Sequence, residues 1–273
     1  LTIIEAIFLG IIQGLTEFLP VSSSGHLVLF SQLMEVDNPA LVFEIVVHMG
    51  TLLAVLVVFW QEVLLLLKSF FKLVKHPRQA QELLRTDPGC KLLLNLVLAT
   101  VPVVILALAF KTQIEQVFQS SLFVGFMLLV TGTVLYASER IGTKNKEVAQ
   151  LSPGDAGLIG VGQAVAILPG ISRSGTTIAV GLARGLNRDS AARFSFLLSI
   201  PAILGAFVFS LDELIRPTAP VGAGPLLAGL IASAVTGYLT IHLLLNLIRR
   251  GKLVWFSYYT WFVGTVVVVL GII

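Results

Sequence analysis

Gln13-Gly-Leu-Thr-Glu17-Phe-Leu-Pro20-Val-Ser22-Ser23-Ser24-Gly25-His26 is a polar stretch set inside apolar sequence. A carboxylate, a proline break, three serines, a glycine and a histidine are costly in hydrocarbon, where such groups mark function. A second stretch, Gln163-Ala-Val-Ala-Ile-Leu-Pro169-Gly170-Ile-Ser172-Arg173-Ser174-Gly175-Thr176-Thr177, repeats the frame, with Ser-Arg-Ser-Gly standing where the first has Ser-Ser-Ser-Gly. The repetition predicts two hairpins that face each other within a membrane and build one site.

The composition around them is that of an integral membrane protein. Hydrophobic residues make up 56% and charged residues 12%, against roughly 45–50% and about 25% in ordinary globular chains, and the mean hydropathy is +0.95. The net charge of +3 does not point to nucleic acid, because the basic residues fall between apolar segments, as membrane topology places them. A lone Cys90 excludes an internal disulfide and a cysteine metal cluster. Leu1 to Ile12 lacks a basic leader and carries Glu5, so no cleavable signal peptide is expected there.

Segment lengths give the topology. Leu1 to Gly14 is too short to cross, since a span needs ~20 residues; with the break at Pro20 and the short apolar run Leu27 to Met34, residues 2 to 35 read as helix, polar turn, helix. Spans are predicted at Leu41–Leu67, Leu92–Phe110 and Ser121–Ser138. Asp155–Leu168 and Thr176–Leu186 repeat the short broken pattern, and Phe194–Leu211, Leu226–Ile248 and Leu253–Ile273 complete the chain. The expected fold is therefore all-α: six transmembrane helices and two re-entrant helical hairpins in one membrane domain over 1–273, with internal repeats 1–140 and 150–273.

Three crossings separate equivalent points, so the second half is inserted upside down, an inverted repeat of the kind that places a site near the bilayer midplane. Charge agrees with that. With the 68–91 stretch in the cytoplasm, the basic loops around Lys144 and Arg250 join it, and the opposite side keeps only Lys111 and Arg216 in its loops. Trp255, Tyr258, Tyr259 and Trp261 fit an aromatic belt at one end of the last span.

Ser22 to Gly25 and Ser172 to Gly175 each precede a helix that starts at mid-membrane, and helix N-termini bind anions. Together with Arg173, whose planar fork of donors suits phosphate, they form a cradle for a phosphate or diphosphate. Serines in such positions also cap their helices, but capping does not account for an arginine at that depth. Glu17 suits proton transfer or metal binding, with the plainer role of counter-ion to Arg173 beside it. His26 suits a nucleophile or a general acid/base. Glu44 with His48, and His242 with Asn246, are spaced i, i+4 and read as satisfied polar pairs. Glu5, Arg184, Arg188 and Arg193 sit near predicted boundaries, where snorkelling to the interface explains them.

Gln13-x-x-x-Glu17 followed by Phe-Leu-Pro-Val-Ser-Ser-Ser-Gly-His, together with Pro169-Gly-Ile-Ser172-Arg173-Ser174-Gly-Thr-Thr177, resembles the bacterial undecaprenyl-diphosphate phosphatase family associated with bacitracin resistance. The resemblance runs the whole chain. It implies hydrolysis of undecaprenyl diphosphate to the monophosphate lipid carrier of cell-wall synthesis, with a divalent cation (Mg²⁺ or Ca²⁺), in the bacterial plasma membrane, at a site opening towards the periplasm. It implies Glu17, His26, Arg173 and Ser23 as catalytic residues, with Glu17 also the metal ligand, and the nucleophile open between His26, Ser23 and water. Gln13, Ser22, Ser24, Gly25, Ser172, Ser174, Gly175 and Thr177 are the substrate-binding set. Many family members have glutamate where this chain has Gln13. The partners expected are a polyprenyl diphosphate and membrane lipids, with room for a homodimer and no nucleic acid. The rival from another class is a secondary transporter or flippase for an anionic lipid or small anion, since broken helices and inverted repeats serve carriers as well.

Overall fold

The computed structural model describes residues 1–34, 41–118, 120–141, 145–215, 221–249 and 251–272. Lys144, Arg216 and Arg250, part of the charge asymmetry above, lie outside the described residues. The chain is helical: α1 (Ile3–Phe18), α2 (Ser23–Leu33), α3 (Leu41–Val58), α4 (Trp60–Lys75), α5 (Ala80–Thr86), α6 (Pro88–Ala109), α7 (Lys111–Val117), α8 (Ser121–Arg140), α9 (Pro153–Val165), α10 (Arg173–Ala183), α11 (Arg188–Phe209), α12 (Leu211–Ile215), α13 (Ala223–Arg249) and α14 (Val254–Ile272). Six of these, α3, α6, α8, α11, α13 and α14, are long and apolar enough to cross a membrane. Among the described residues there is no strand, only an isolated bridge between Lys146 and Leu186.

The two broken pairs, α1–α2 and α9–α10, start alike. Thr2 caps α1 in a capping box with Glu5, and Ser152 caps α9 in a capping box with Asp155, each serving backbone N–H groups that a helix start leaves open. Residue n of the first pair corresponds to residue n + 150 of the second, as Thr2 with Ser152 and Glu5 with Asp155 illustrate. Packing follows the same relation. α1 lies against α13 and α9 against α6, so each broken pair docks on a span of the other half. A Cβ on Gly10 would meet the Gly229 carbonyl at 2.7 Å, and one on Gly160 the Ala99 carbonyl at 2.5 Å. Small residues permit this approach, which suits helices that gain nothing from the hydrophobic effect within lipid. These reciprocal contacts are consistent with the inverted repeat.

The core behind the turns is aromatic and aliphatic. Phe18 meets Phe196 edge-on with centroids 5.6 Å apart, Phe59 meets Phe196 at 6.0 Å, and Leu96, Ile159, Ile178 and Ile241 close around them. Phe18 follows Glu17 and Phe196 follows Ser195, so this cluster fixes the backbone that carries two polar groups of the site.

Some sequence expectations are corrected. The span Leu41–Leu67 breaks at Phe59, and α4 follows as a separate amphipathic helix. Most of its exposed apolar residues, Trp60, Leu67, Phe70, Phe71 and Val74, form one stripe with Lys68, Lys72 and Lys75 along its edge, while Leu65 is exposed outside it, the pattern of a helix lying at an interface. The 68–91 stretch is thus mostly helix rather than loop. His48 does not pair with the Glu44 carboxylate: its Nδ1 donates to the Glu44 backbone carbonyl at 2.7 Å. His242 likewise bonds the Tyr238 carbonyl rather than Asn246. Arg184, Arg188 and Arg193 do not simply snorkel; they pair with Asp155, with Glu139, and with Glu62 and Asp189. Glu5 serves the capping box.

Candidate active site

The second turn packs against the middle of α8. Thr131, midway along that helix, donates to the Gly170 carbonyl at 2.8 Å and accepts from the Ser172 N–H at 3.1 Å. Gly170 has φ +95°, and a Cβ there would stand 2.6 Å from the Val124 carbonyl. The turns also touch each other reciprocally: a Cβ on Gly25 would meet Gly170 Cα at 3.2 Å, and one on Gly175 would meet Pro20 Cβ at 3.2 Å. The Ser174 hydroxyl donates across to the Leu19 carbonyl at 3.3 Å.

Ser22 and Ser172 are N-caps, each accepting from the N–H three residues on, Gly25 at 3.3 Å and Gly175 at 3.0 Å. Ser24 and Ser174 stand beside them, at 3.3 and 3.2 Å between hydroxyls. Capping is therefore a real role for these serines. It consumes one N–H per turn, and among the described residues no acceptor meets the N–H groups of Ser23, Ser24, Arg173 or Ser174. Two helix starts with open donors converge at one depth, the arrangement that receives an anion.

Glu17 lies at the junction. Its Oε1 accepts from Arg173 Nη2 at 2.5 Å, and its Oε2 accepts from the Ser23 hydroxyl at 2.6 Å and from Gln13 Nε2 at 3.0 Å. The carboxylate is 7% exposed, so a charge held there needs this set of partners. His48 Nε2 stands 3.7 Å from Oε2, placing α3 at the site as well. The Arg173 fork is held twice, Nη2 on Glu17 and Nη1 on the Ser195 carbonyl at 3.2 Å, with its remaining donors left over. Thr177 is buried and committed to the Arg173 carbonyl at 2.8 Å and the Ser195 hydroxyl at 2.7 Å; it supports Arg173.

His26 belongs to a neighbouring network. Its Nδ1 bonds the Ser22 carbonyl at 2.8 Å, and its Nε2 bonds the Tyr259 hydroxyl at 2.8 Å. Both ring nitrogens are thus engaged away from Glu17 and Arg173. Sequence reasoning brought Gln13, Glu17, Ser23 and Arg173 together, and the structure does so. It read His48 only as the partner of Glu44 and Tyr259 only as part of an aromatic belt, and it passed over Ser195; no local motif ties any of the three to the site.

Among the described residues no three His, Cys, Asp or Glu side chains gather into a metal cluster. What Glu17 offers a cation is a single carboxylate beside the Ser23 hydroxyl, with Gln13 bonding it through Nε2 and keeping a buried amide oxygen, Oε1, without a hydrogen-bond partner. That donor set fits a hard cation that completes its shell with substrate phosphates and water, as Mg²⁺ commonly does.

The family described as bacitracin resistance protein BacA matches residues 6–266. The chain belongs to that family. It is similar to the undecaprenyl-diphosphatase of Methanobrevibacter smithii, 43% identical over 270 residues that cover 97% of this chain and 96% of the relative. The undecaprenyl-diphosphatase of Alkaliphilus metalliredigens is 40% identical over the full length of both chains, and that of Carboxydothermus hydrogenoformans 42% over 97% of this chain and 96% of its own. Within the BacA family this chain is a multi-pass membrane protein.

Proposed function

We propose that this chain hydrolyses the terminal phosphoanhydride of undecaprenyl diphosphate, releasing phosphate and the lipid monophosphate. The observation that carries this reading is the Glu17–Arg173 pair joining two helix starts, in a chain whose full-length relatives are named for that hydrolase. A diphosphate head group entering there meets the open N–H groups and the Arg173 fork, while its prenyl chain stays in hydrocarbon between spans. Charge developing on the transferring phosphoryl group is held by these fixed donors, and such electrostatic positioning does most of the work in phosphoryl transfer.

Glu17 orients the attacking group through Ser23, whose hydroxyl it already holds, and Arg173 leaves the pair in part to take phosphate oxygens. The nucleophile is His26, Ser23 or a water held between them. Glu17, with Gln13 nearby, would hold a Mg²⁺ or Ca²⁺ ion, which would supply charge neutralisation at the phosphates. The site opens towards the periplasm of a bacterial plasma membrane, the chain acts as one membrane domain, and a homodimer is compatible with this arrangement.

The test is phosphate release by the purified protein from a C55 diphosphate in detergent, with and without chelator. Stoichiometric release that chelator suppresses supports the reading. Substrate accumulation in vesicles without hydrolysis would replace it with the carrier.

A further inference from the structure

We propose that Tyr259 is a positioning residue for His26, holding its imidazole as the Nδ1–H tautomer with Nε2 as its one basic nitrogen. This rests on the reading of His26 as a catalytic residue given above.

The hydrogen bonds determine the tautomer. A backbone carbonyl only accepts, so the 2.8 Å contact from His26 Nδ1 to the Ser22 carbonyl places the proton on Nδ1. A neutral imidazole carries one N–H, so Nε2 holds a lone pair. Its partner at 2.8 Å, the Tyr259 hydroxyl, is then the donor. The rings also lie nearly parallel, 12° apart with centroids 5.7 Å apart, and Phe30 adds a second stacked contact at 6.4 Å. Two hydrogen bonds and two ring contacts fix the imidazole.

The carbonyl end of this chain is itself held in an uncommon state. Ser22 has φ +74°, and it is the one residue other than glycine in that region among the described residues. Such a backbone is strained and persists where surroundings enforce it, often at functional sites. The Ser22 carbonyl accepts from His26 while the Ser22 hydroxyl caps α2.

Tyr259 comes from α14, in the other half of the chain, and is 43% exposed where His26 is 2% exposed. Its hydroxyl therefore stands at the edge of a buried base and occupies the only lone pair with which His26 can accept a proton or attack phosphorus. Until the substrate enters, this O–H sets the ring's rotation and keeps Nε2 unprotonated; in the reaction it gives up Nε2 to the incoming group. The neighbouring Tyr258 has no such tie, making ring contacts only with Trp255 and Trp261. It is the internal control.

The experiment uses full-length protein in detergent, phosphate release from a C55 diphosphate, and ¹⁵N spectra of histidine-labelled protein with the His26 signal assigned by its loss in His26→Gln. Tyr259→Phe keeps the stacked ring and removes the hydroxyl. The expected result is a fall in kcat of about ten- to a hundredfold, the scale on which misplacing a reacting group acts, with KM moving less than about threefold. The His26 Nδ1–H signal stays, since the Ser22 carbonyl still accepts from it, while the unprotonated Nε2 signal shifts as its lone pair loses the O–H donor; Tyr258→Phe changes neither kcat nor that shift. Unchanged kcat or an unchanged Nε2 signal in Tyr259→Phe overturns the proposal. An Nε2–H tautomer in the parent protein overturns it without any variant. Full activity in His26→Gln removes the catalytic reading of His26 instead, a failure the Tyr259→Phe spectrum distinguishes from a failure of the positioning contact itself.

Discussion

Glu17 and Arg173 are 156 positions apart in the chain and 2.5 Å apart in space, one from each broken helix pair. The ion pair that arms the site is also a joint between the two halves. Removing either partner leaves a buried charge unmatched, whereas removing both would loosen the junction without that penalty.

Arg173→Lys keeps the charge and loses the fork. A single ammonium does not hold Glu17 Oε1 and the Ser195 carbonyl together while offering further donors to phosphate. Turnover should fall on the order of a hundredfold or more, the scale of lost transition-state donors, in protein that still purifies. Arg173→Ala should in addition lower the melting temperature, since breaking a buried pair costs about 3–5 kcal/mol. Phosphate release and thermal unfolding in detergent check both, and near-normal hydrolysis by Arg173→Ala would sink the cradle.

Gly170→Ala tests the turn without touching a polar side chain. The position has φ +95° and lies 2.6 Å from the Val124 carbonyl for any added Cβ, so left-handed strain and overpacking combine to roughly 2–4 kcal/mol. A Cβ on Gly205, inside α11, would meet nothing within 4 Å. Gly205→Ala should then stabilise by about 0.5–1 kcal/mol through helix propensity alone. The two melting temperatures should move in opposite directions.

The six spans and the two broken pairs were legible because hydrocarbon imposes length and apolarity on helices and makes polar interruptions conspicuous. The pairing of the turns was legible because Ser22–Gly25 and Ser172–Gly175 share a frame that differs only in Ser23 against Arg173. The break at Phe59 was not, because the run from Leu41 to Leu67 stays apolar with no proline or late glycine to mark it; only the stripe of Lys68, Lys72 and Lys75 hinted at a change of environment. Tyr259 was hidden for a different reason. It touches His26 across 233 positions, and in sequence it sits among aromatics that an interface would also collect. Ser195 contributes a backbone carbonyl to Arg173, and a carbonyl leaves no trace in residue type.

The orientation inferred from charge places the helices around Gln79 in the cytoplasm and the connection holding Gln113 outside. Both residues are exposed, and the native Cys90 is buried, so single cysteines report cleanly. In whole cells Gln113→Cys should react with a membrane-impermeant thiol reagent and Gln79→Cys should be protected until the cells are lysed. The reverse pattern inverts the topology, and equal labelling of both removes the odd number of crossings on which the inverted repeat depends.

Gln13 marks this chain's departure from many relatives, and the structure gives it a specific task. Its Nε2 donates to Glu17 Oε2 at 3.0 Å, while its Oε1 is buried without a partner. Glu17→Gln removes the only carboxylate in the junction and should abolish phosphate release. Gln13→Ala removes one of three side-chain donors to that carboxylate, which costs about 1.5–3 kcal/mol for a bond to a charged group and should weaken turnover by a smaller factor. Gln13→Glu asks more. It sets a second carboxylate against Glu17, and two such close groups resist ionising together. A divalent cation or a shared proton relieves the repulsion, so this variant should keep activity with a steeper dependence on metal and on pH. A metal titration of Gln13→Glu beside the parent measures that difference directly. Identical titrations would remove the cation from this corner of the site, and full activity in Glu17→Gln across the same series would move the acid/base role to His26 or to Glu44.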